Sequence, residues 1–498
     1  MFKKGLFWLL IGAYAVGRFL FPPLEFTGDS YGYACEILKG DLWNYHHLLH
    51  KYFLNDIWLI TQPILSNIDP LWFFSCIHLL VALGSVFTLM RILEHRHWSE
   101  SRIFLALIFV LSGFAFSKYS IENEVYFFPI LLSLIGSWEF EKTRPFRAAI
   151  YLGIATLFHQ IHIFWLIGLL FPRNWKKPSE YYPIVIGLFV PALTYSVLSL
   201  FTGMSLYSLL FQDVESGLVQ VVPNIGNTLL FVVNIIRTFF QVHGDILLFW
   251  NLWNPYYSGL ALLIFIFVLL GLLIYLRERR LSYKRSDWYL VYVRAFLLQM
   301  AFAWYSVGNI EFMVVLPILF VLTLRNGSLL KHSLLLSIGI IVWNTTQWYI
   351  PMAKTRPSRI QDQIAISHRI INDDRNVGWC GVQPPILVYT KNAATVQNAY
   401  EYDYLLDSLK GDELMDTAQM KANGVFIHKL KFVPFEGGKL NFGYWLSFTH
   451  GRINRSTLNY DTSANLPEQP HVKFTRLYRD TGMGGVLEFY RISPLNKP

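Results

Sequence analysis

From residue 5 to about residue 350, long apolar runs alternate with short basic clusters. A bilayer core about 30 Å thick takes about 20 apolar residues to cross as a helix, so these runs predict membrane-spanning helices. The first run, residues 5–21, follows Lys3 and Lys4 and ends at Pro22, Pro23, Leu24 and Glu25. No small-residue cleavage site follows it. It therefore reads as an uncleaved first transmembrane helix rather than a signal peptide.

The basic clusters lie at residues 91–102, 139–147, 173–177, 277–285 and 325–332. Basic residues collect in short cytoplasmic loops, which places all five clusters inside and folds the apolar runs between them into hairpins. One hairpin, residues 103–138, turns at Ser117-Lys118-Tyr119-Ser120-Ile121-Glu122-Asn123-Glu124. A second, 148–171, carries His159 and His162 at its middle, and a third, 287–324, turns at Ser306 to Glu311. Their arms are short for a full crossing, and polar tips in lipid cost several kcal/mol per unmet group. The pattern predicts a water-filled depression opening from the outer face. Two longer outer segments, 25–69 and 202–258, complete the topology; the second carries Arg237 and Asp245 and reads as a re-entrant or interfacial helix. The count comes to about 11 transmembrane helices, with the N-terminus cytoplasmic and the C-terminus outside. Counting 229–250 as a further span would break that parity.

After about residue 350 the apolar runs stop. The expected organisation is a transmembrane domain, 1–350, and a soluble extracytoplasmic domain, 351–498. In the latter, 386–390, 425–428 and 486–490 read as strands, and 400–409 and 416–423 as helices, predicting a small α/β fold. No glycine-rich phosphate loop is present. The fold class is thus a mainly α multi-pass membrane protein with a small C-terminal α/β domain. Composition agrees: 54% of residues are hydrophobic and 15% charged, against about 25% charged in soluble domains. The net charge of +9 sits largely in short loops, where it sets orientation and gives no reason to expect nucleic acid as a partner. Three cysteines make no disulfide framework. Cys76 lies in an apolar run; Cys35 and Cys380 fall on the outer side, where two free thiols are preferred over one bridge.

Four groups of residues could carry chemistry. Asp29, in Thr27-Gly28-Asp29-Ser30-Tyr31-Gly32-Tyr33, sits just outside the first helix, where a carboxylate can take a proton from a hydroxyl or hold a cation; the bland alternative is a solvated loop acid. Glu122 and Glu124 can share a divalent cation or orient a substrate, or can simply be a polar tip. His159 and His162 could contact phosphate, move a proton or bind metal. His46, His47 and His50 have a zinc-compatible spacing, but Trp43, Tyr45 and Tyr52 beside them favour an interfacial helix in the headgroup belt. Lys118, Arg237 and Arg18 are candidates to neutralise a lipid phosphate, against ordinary snorkelling to headgroups. Arg294 falls within a predicted span and should face protein or water.

Taken together, these placements resemble the GT-C superfamily of integral membrane glycosyltransferases, in particular its protein mannosyltransferase and aminoarabinose transferase branches. The resemblance rests on the acid soon after the first helix, the long first outer loop, the short hairpins and the outer C-terminal domain. It implies a polyprenyl-phosphate sugar as donor and a glycan, lipid or protein as acceptor; the Lys-rich start and compact loops point to a bacterial inner membrane, with the C-terminal domain then periplasmic. It implies that Asp29 and Glu124 are catalytic, Asp29 as general base. Tyr31, Lys118, Glu122, His159, His162, Arg237 and Glu311 would bind substrate. Glu122 and Glu124 match the second acidic pair of the oligosaccharyltransferase members. Protein mannosyltransferases carry Asp-Glu where this chain has Asp29-Ser30. No cofactor is required on this reading, although the glutamate pair leaves room for a divalent cation, Mg or Mn.

Readings from other classes predict different features. A lipid-linked sugar transporter would place acids and bases deep in its spans and show internal repeats, and no clear repeat is visible. A polysaccharide polymerase or ligase would act at the same face, usually without a terminal soluble domain of this size. An assembly protein would leave Asp29 and Glu124 dispensable.

Overall fold

The structure is a computed structural model of the whole chain. It describes residues 4–20, 28–65, 68, 70–172, 174, 176–215, 225–241, 287–306, 310–324 and 333–349, and six strands beyond residue 376. The chain divides into two compact units. The first comprises Met1–Pro22, Gly40–Ile350 and Leu446–Arg452, and the second Pro23–Lys39, Pro351–Trp445 and Ile453–Pro498.

The described part of the first unit up to residue 349 is helical. Its helices are α1 (Lys4–Leu20), α3 (Leu48–Thr61), α4 (Pro70–His95), α5 (Glu100–Ser112), α6 (Phe114–Tyr119), α7 (Phe127–Glu141), α8 (Pro145–Phe158), α9 (Ile163–Leu170), α10 (Tyr182–Thr202), α11 (Leu206–Glu215) and α12 (Ile225–Phe239). After these come α13 (Asp287–Tyr305), α14 (Leu316–Thr323) and α15 (Ser333–Asn344). Two described helical stretches, Pro70–His95 and Pro178–Thr202, are long and apolar enough to cross a membrane. The second leaves Val185, Phe189, Leu193, Val197, Leu200 and Phe201 exposed along one side. Such a continuous apolar stripe is costly in water and stable against lipid.

Helices approach closely where small residues face one another, as is common when lipid rather than water surrounds a bundle. A Cβ on Gly168 of α9 would lie 2.4 Å from Ala295 Cα of α13, and one on Gly153 of α8 would lie 2.7 Å from the Gly187 carbonyl oxygen of α10. Both crossings therefore require glycine.

The hairpin arms differ from their expected lengths for a local reason. The arm before the first tip does not end near residue 116. It bends at Gly113, whose extended backbone separates α5 from α6, and runs on to Tyr119. The polar Ser117-Lys118-Tyr119 that read as a tip is the last turn of α6. A helix break leaves orphan carbonyls. Here Asn344 of α15 donates from Nδ2 to the Ser112 carbonyl at 3.0 Å and to the Phe239 carbonyl at 2.9 Å. Its Oδ1 accepts from the Gln241 amide at 2.9 Å. One buried asparagine thus ties the break to the ends of α12 and α15.

The basic clusters 91–102 and 139–147 meet. Arg96 grips Glu141 through Nη2 at 2.7 Å, and its Nη1 donates to the Leu322 carbonyl of α14 at 2.8 Å. Tyr292 of α13 donates to the same carboxylate at 2.7 Å. This network marks one end of the bundle, as the hairpin scheme requires. The clusters 277–285 and 325–332 lie outside the described residues, and so does the segment 242–258 of the second outer loop.

In the second unit, α2 (Gly28–Lys39) buries Ser30, Ala34 and Ile37 at helical spacing and leaves Asp29 exposed in its first turn. Six strands follow: β1 (Val377–Cys380), β2 (Phe426–Pro434), β3 (Trp445–Ser447), β4 (Arg452–Asn454), β5 (Val472–Thr481) and β6 (Gly485–Pro494). Four form a sheet of order β1-β2-β6-β5, and β3 pairs with β4. β1 and β2 are parallel, Gly378 opposite Ile427, while β6 runs antiparallel to both β2 and β5. A parallel pair needs a crossover rather than a tight turn. Here the connection passes through residues 381–425. The expected strand 486–490 lies within β6, and residues 426–428 of the expected strand 425–428 open β2; residue 425, the expected strand 386–390 and helices 400–409 and 416–423 lie outside the described residues.

Candidate functional site

The hairpin tips gather at the end of the bundle opposite the Arg96–Glu141 network. Tyr119, the last residue of α6, stands at the centre. Glu311, Glu124, Glu122 and Arg237 all lie close enough for their charges to act on its phenol. The same four charges that surround Tyr119 are candidates from the sequence. The Lys118 ammonium sits 4.8 Å from the Tyr119 ring centroid. Arg237, near the end of α12, lies over Phe114 at 5.8 Å and donates from Nε to Gln241 Oε1 at 3.3 Å. α12 packs against both α6 and the 3-10 turn Ile310–Met313, which is what brings Arg237 to the tips.

The tip between α6 and α7 is not a solvated end. Glu122 is 1% exposed and Glu124 2%. The depression expected from the sequence is therefore closed over these carboxylates by protein. Buried carboxylates among cations and phenols are expensive to assemble, and such sets occur where chemistry uses them as well as in structural networks.

The second hairpin joins the same end. Tyr126, at the start of α7, donates to Glu311 Oε2 at 3.0 Å. Its ring lies 5.2 Å from Tyr119 and 5.5 Å from His159. His159 has extended backbone because it separates α8 from the 3-10 turn Gln160–His162, and this turns its ring out of the helix register. Burial, then the neighbouring His47, holds its imidazole well below the usual range, so it is neutral at pH 7. His162 goes elsewhere. Its Nδ1 pairs with Ser133 Oγ at 2.8 Å and its ring stacks on Trp165 at 6.1 Å. Burial lowers it to about 3. It is held among α7 and α9 side chains.

The first outer loop also reaches the tips, which its residues did not announce. His47, at the start of α3, meets His159 edge-to-face at 4.5 Å. Burial lowers it to about 3. His50, also lowered by burial, lies 5.4 Å from His78 of α4. Trp43, Tyr45 and Tyr52 do form an aromatic group, with centroids 5.9–6.5 Å apart around Trp43. Lys51 is buried, its Nζ donating to the Trp43 carbonyl at 2.9 Å. Arg18 of α1 lies over the Tyr349 ring at 4.7 Å, and Arg294 over Phe171 at 5.5 Å. Both thus contact protein.

The structure brings together Lys118, Glu122, Glu124, His159, Arg237 and Glu311, and sets His162 apart. Asp29 belongs to the second unit, and the Tyr31, Cys35 and Cys380 side chains lie outside what is described. Cys76 is a free thiol. Among the described residues, no three His, Cys, Asp or Glu side chains are arranged to hold a metal ion. Tyr119 and Tyr126 are the additions to the sequence-derived set. Their positions beside tip acids were the available signal.

No family model matches this chain, and no curated protein does. Among solved structures, the chain resembles ArnT from Cupriavidus metallidurans bound to undecaprenyl phosphate, with 13% identity over 98% of each chain and a TM-score of 0.48. The apo form of the same protein matches with 12% identity over 98% of each chain and a TM-score of 0.45. Likeness at this level transfers no residue role and no activity.

Proposed function

We propose that the chain is an integral membrane glycosyltransferase that moves a sugar from a polyprenyl-phosphate donor to an envelope glycan, lipid or protein at the outer face of a bacterial inner membrane. The proposed topology is about 11 passes with the N-terminus cytoplasmic and the C-terminal domain, 351–498, periplasmic. The observation that supports this most is the gathering of Lys118 and Arg237 with Glu122, Glu124 and Glu311 at one end of an apolar bundle. That set offers cations for a phosphate and carboxylates for sugar hydroxyls.

In the proposed reaction the donor's prenyl chain lies in the outer leaflet with its phosphate toward Arg237 and Lys118. Asp29 takes the proton from the acceptor hydroxyl as its oxygen attacks the anomeric carbon. The bond from that carbon to the phosphate oxygen breaks, and the electron pair leaves with the lipid phosphate. Arg237 and Lys118 stabilise the charge that develops there. Glu124 and Glu122 orient the sugar, with His159 and Glu311 at the rim. A single displacement inverts the anomeric centre. Side chains alone suffice for these steps.

The test is a mass-spectrometric profile of lipid-linked sugars and envelope glycans. It compares cells with the intact protein, cells without it, and cells with Asp29→Asn at equal expression. The expected result is that both defective strains accumulate one polyprenyl-phosphate sugar and lose one glycan residue. Unchanged profiles in both strains would sink the transferase reading; a normal profile in Asp29→Asn alone would remove Asp29 as the base.

A further inference from the structure

Gln160, between the two tip histidines, makes a set of contacts that joins three parts of the first unit. The Tyr195 hydroxyl of α10 donates to the Tyr45 carbonyl at 2.7 Å. Its oxygen therefore accepts, and Gln160 Nε2 donates to it at 2.9 Å. With the amide nitrogen fixed on that side, Oε1 faces His46 Nδ1 at 3.3 Å. The His46 proton must then be on Nδ1 for the pair to form. Nε2 also donates to the Tyr45 carbonyl at 3.5 Å, and reversing the amide would turn its oxygen toward both acceptors and break both contacts. Beneath the bridge lies an apolar seat of Leu48, Leu157, Tyr195 and Leu209, with Tyr45 and Leu49 packed against it. The seat supplies non-directional burial. The bridge supplies register.

We infer that Gln160 is a positioning residue that docks residues 44–51 onto the 159–162 tip and so sets the His159 ring between His47 and Tyr126. The geometry runs in one line: Gln160 holds His46; His47, next in sequence, meets His159 at 4.5 Å; His159 meets Tyr126 at 5.5 Å; Tyr126 donates to Glu311. Displacing a positioned group by about 1 Å can cost about 100-fold in rate. Gln160 itself acts only through His159. The functional half of this inference rests on the transferase reading above; the docking half stands on the contacts alone.

Two variants of the full-length protein separate the halves. Gln160→Met keeps the side-chain length and removes both polar groups, and Tyr195→Phe keeps the ring in the apolar seat and removes the hydroxyl. Amide exchange by mass spectrometry in detergent is expected to quicken about fivefold across 44–51 in each variant, with the remainder of the bundle unchanged. Unchanged exchange in both overturns the docking. Transfer is then measured in membranes supplied with the polyprenyl-phosphate sugar that accumulates in the Asp29→Asn strain. In Gln160→Met, kcat is expected to fall about tenfold with KM within about twofold, and adding it to His159→Asn should cost nothing further. Multiplying losses in the double variant overturn the action through His159. If the intact protein transfers nothing, the transferase reading fails, while the exchange result still decides the docking.

Discussion

The two ends of the bundle bury charge in opposite ways. At one end, Arg96 and Glu141 close on each other. Both carboxylate oxygens face the guanidinium at 2.7–3.2 Å, Tyr292 donates to one of them, and the guanidinium also lies over the Tyr292 ring at 4.9 Å. At the other end, three carboxylates and two cations surround a pair of tyrosines and a neutral imidazole. The first arrangement is a self-contained tie between four helices. The second mixes groups of both signs with proton donors, drawn from three hairpin tips and a fourth helix. A buried pair that satisfies itself specifies packing, whereas a mixed set has capacity to receive a polar ligand.

Glu141→Gln gives the largest expected effect. It leaves Arg96 buried without its counter-charge, which costs about 3–5 kcal/mol. Thermal melting in detergent should fall sharply; a loss under about 1 kcal/mol would mean that this end is not the tie described. Arg237→Ala is the complementary test at the tips. Transfer should drop about 100-fold, near 2.7 kcal/mol, while melting falls by less than in Glu141→Gln because Lys118 still offsets the carboxylates. If melting instead falls as far as in Glu141→Gln, the two ends are both structural and the contrast is lost.

Acid should act through the tip end. His47 is lowered to about 3 by burial, and His50 and His159 are lowered in the same direction. Folded, these rings stay neutral; unfolded, they take up protons below about 6.5. Their stabilising share is therefore complete above about pH 6.5 and is lost as pH falls toward 3, at about 1 kcal/mol per histidine between pH 6.5 and 5.5. A melting curve measured against pH should slope downward over that interval, less steeply in His47→Asn. A flat curve would show that the imidazoles are not buried. The smallest effect belongs to Tyr126→Phe. Removing its hydroxyl from Glu311 should cost about 1 kcal/mol, seen as a few-fold loss of transfer with little change in melting.

Much of this organisation was legible in the chain. Lys118, Glu122 and Glu124 were marked as a unit because polar residues interrupt an apolar pattern there, and Glu311 and Arg237 for the same reason. Gly113 was not marked, so α6 was misread as a tip: an isolated glycine in an apolar run does not say whether a helix ends or bends. Tyr119 lay inside the expected tip with no feature to single it out, and nothing in the chain beyond its place beside the tip acids pointed to Tyr126. His47 and His50 looked like headgroup residues, because nothing local tells a side chain whether another loop will cover it.

Apolar periodicity alone points to helices up to about residue 350 and to the polar residues Glu122, Glu124 and Glu311 lying between the α-helices, where the structure has them. Periodicity and the cost of polar groups in an apolar medium are local properties, and they suffice for that. That Arg237 reaches Tyr119, that His47 meets His159, that His162 is held by Ser133 instead, and that Gln160 joins Tyr195 to His46 came from packing between distant segments. Those pairings join residues up to 118 positions apart. They depend on which helices pack together, such as α12 against α6 and the 310–313 turn, and no local stretch of sequence carries that information.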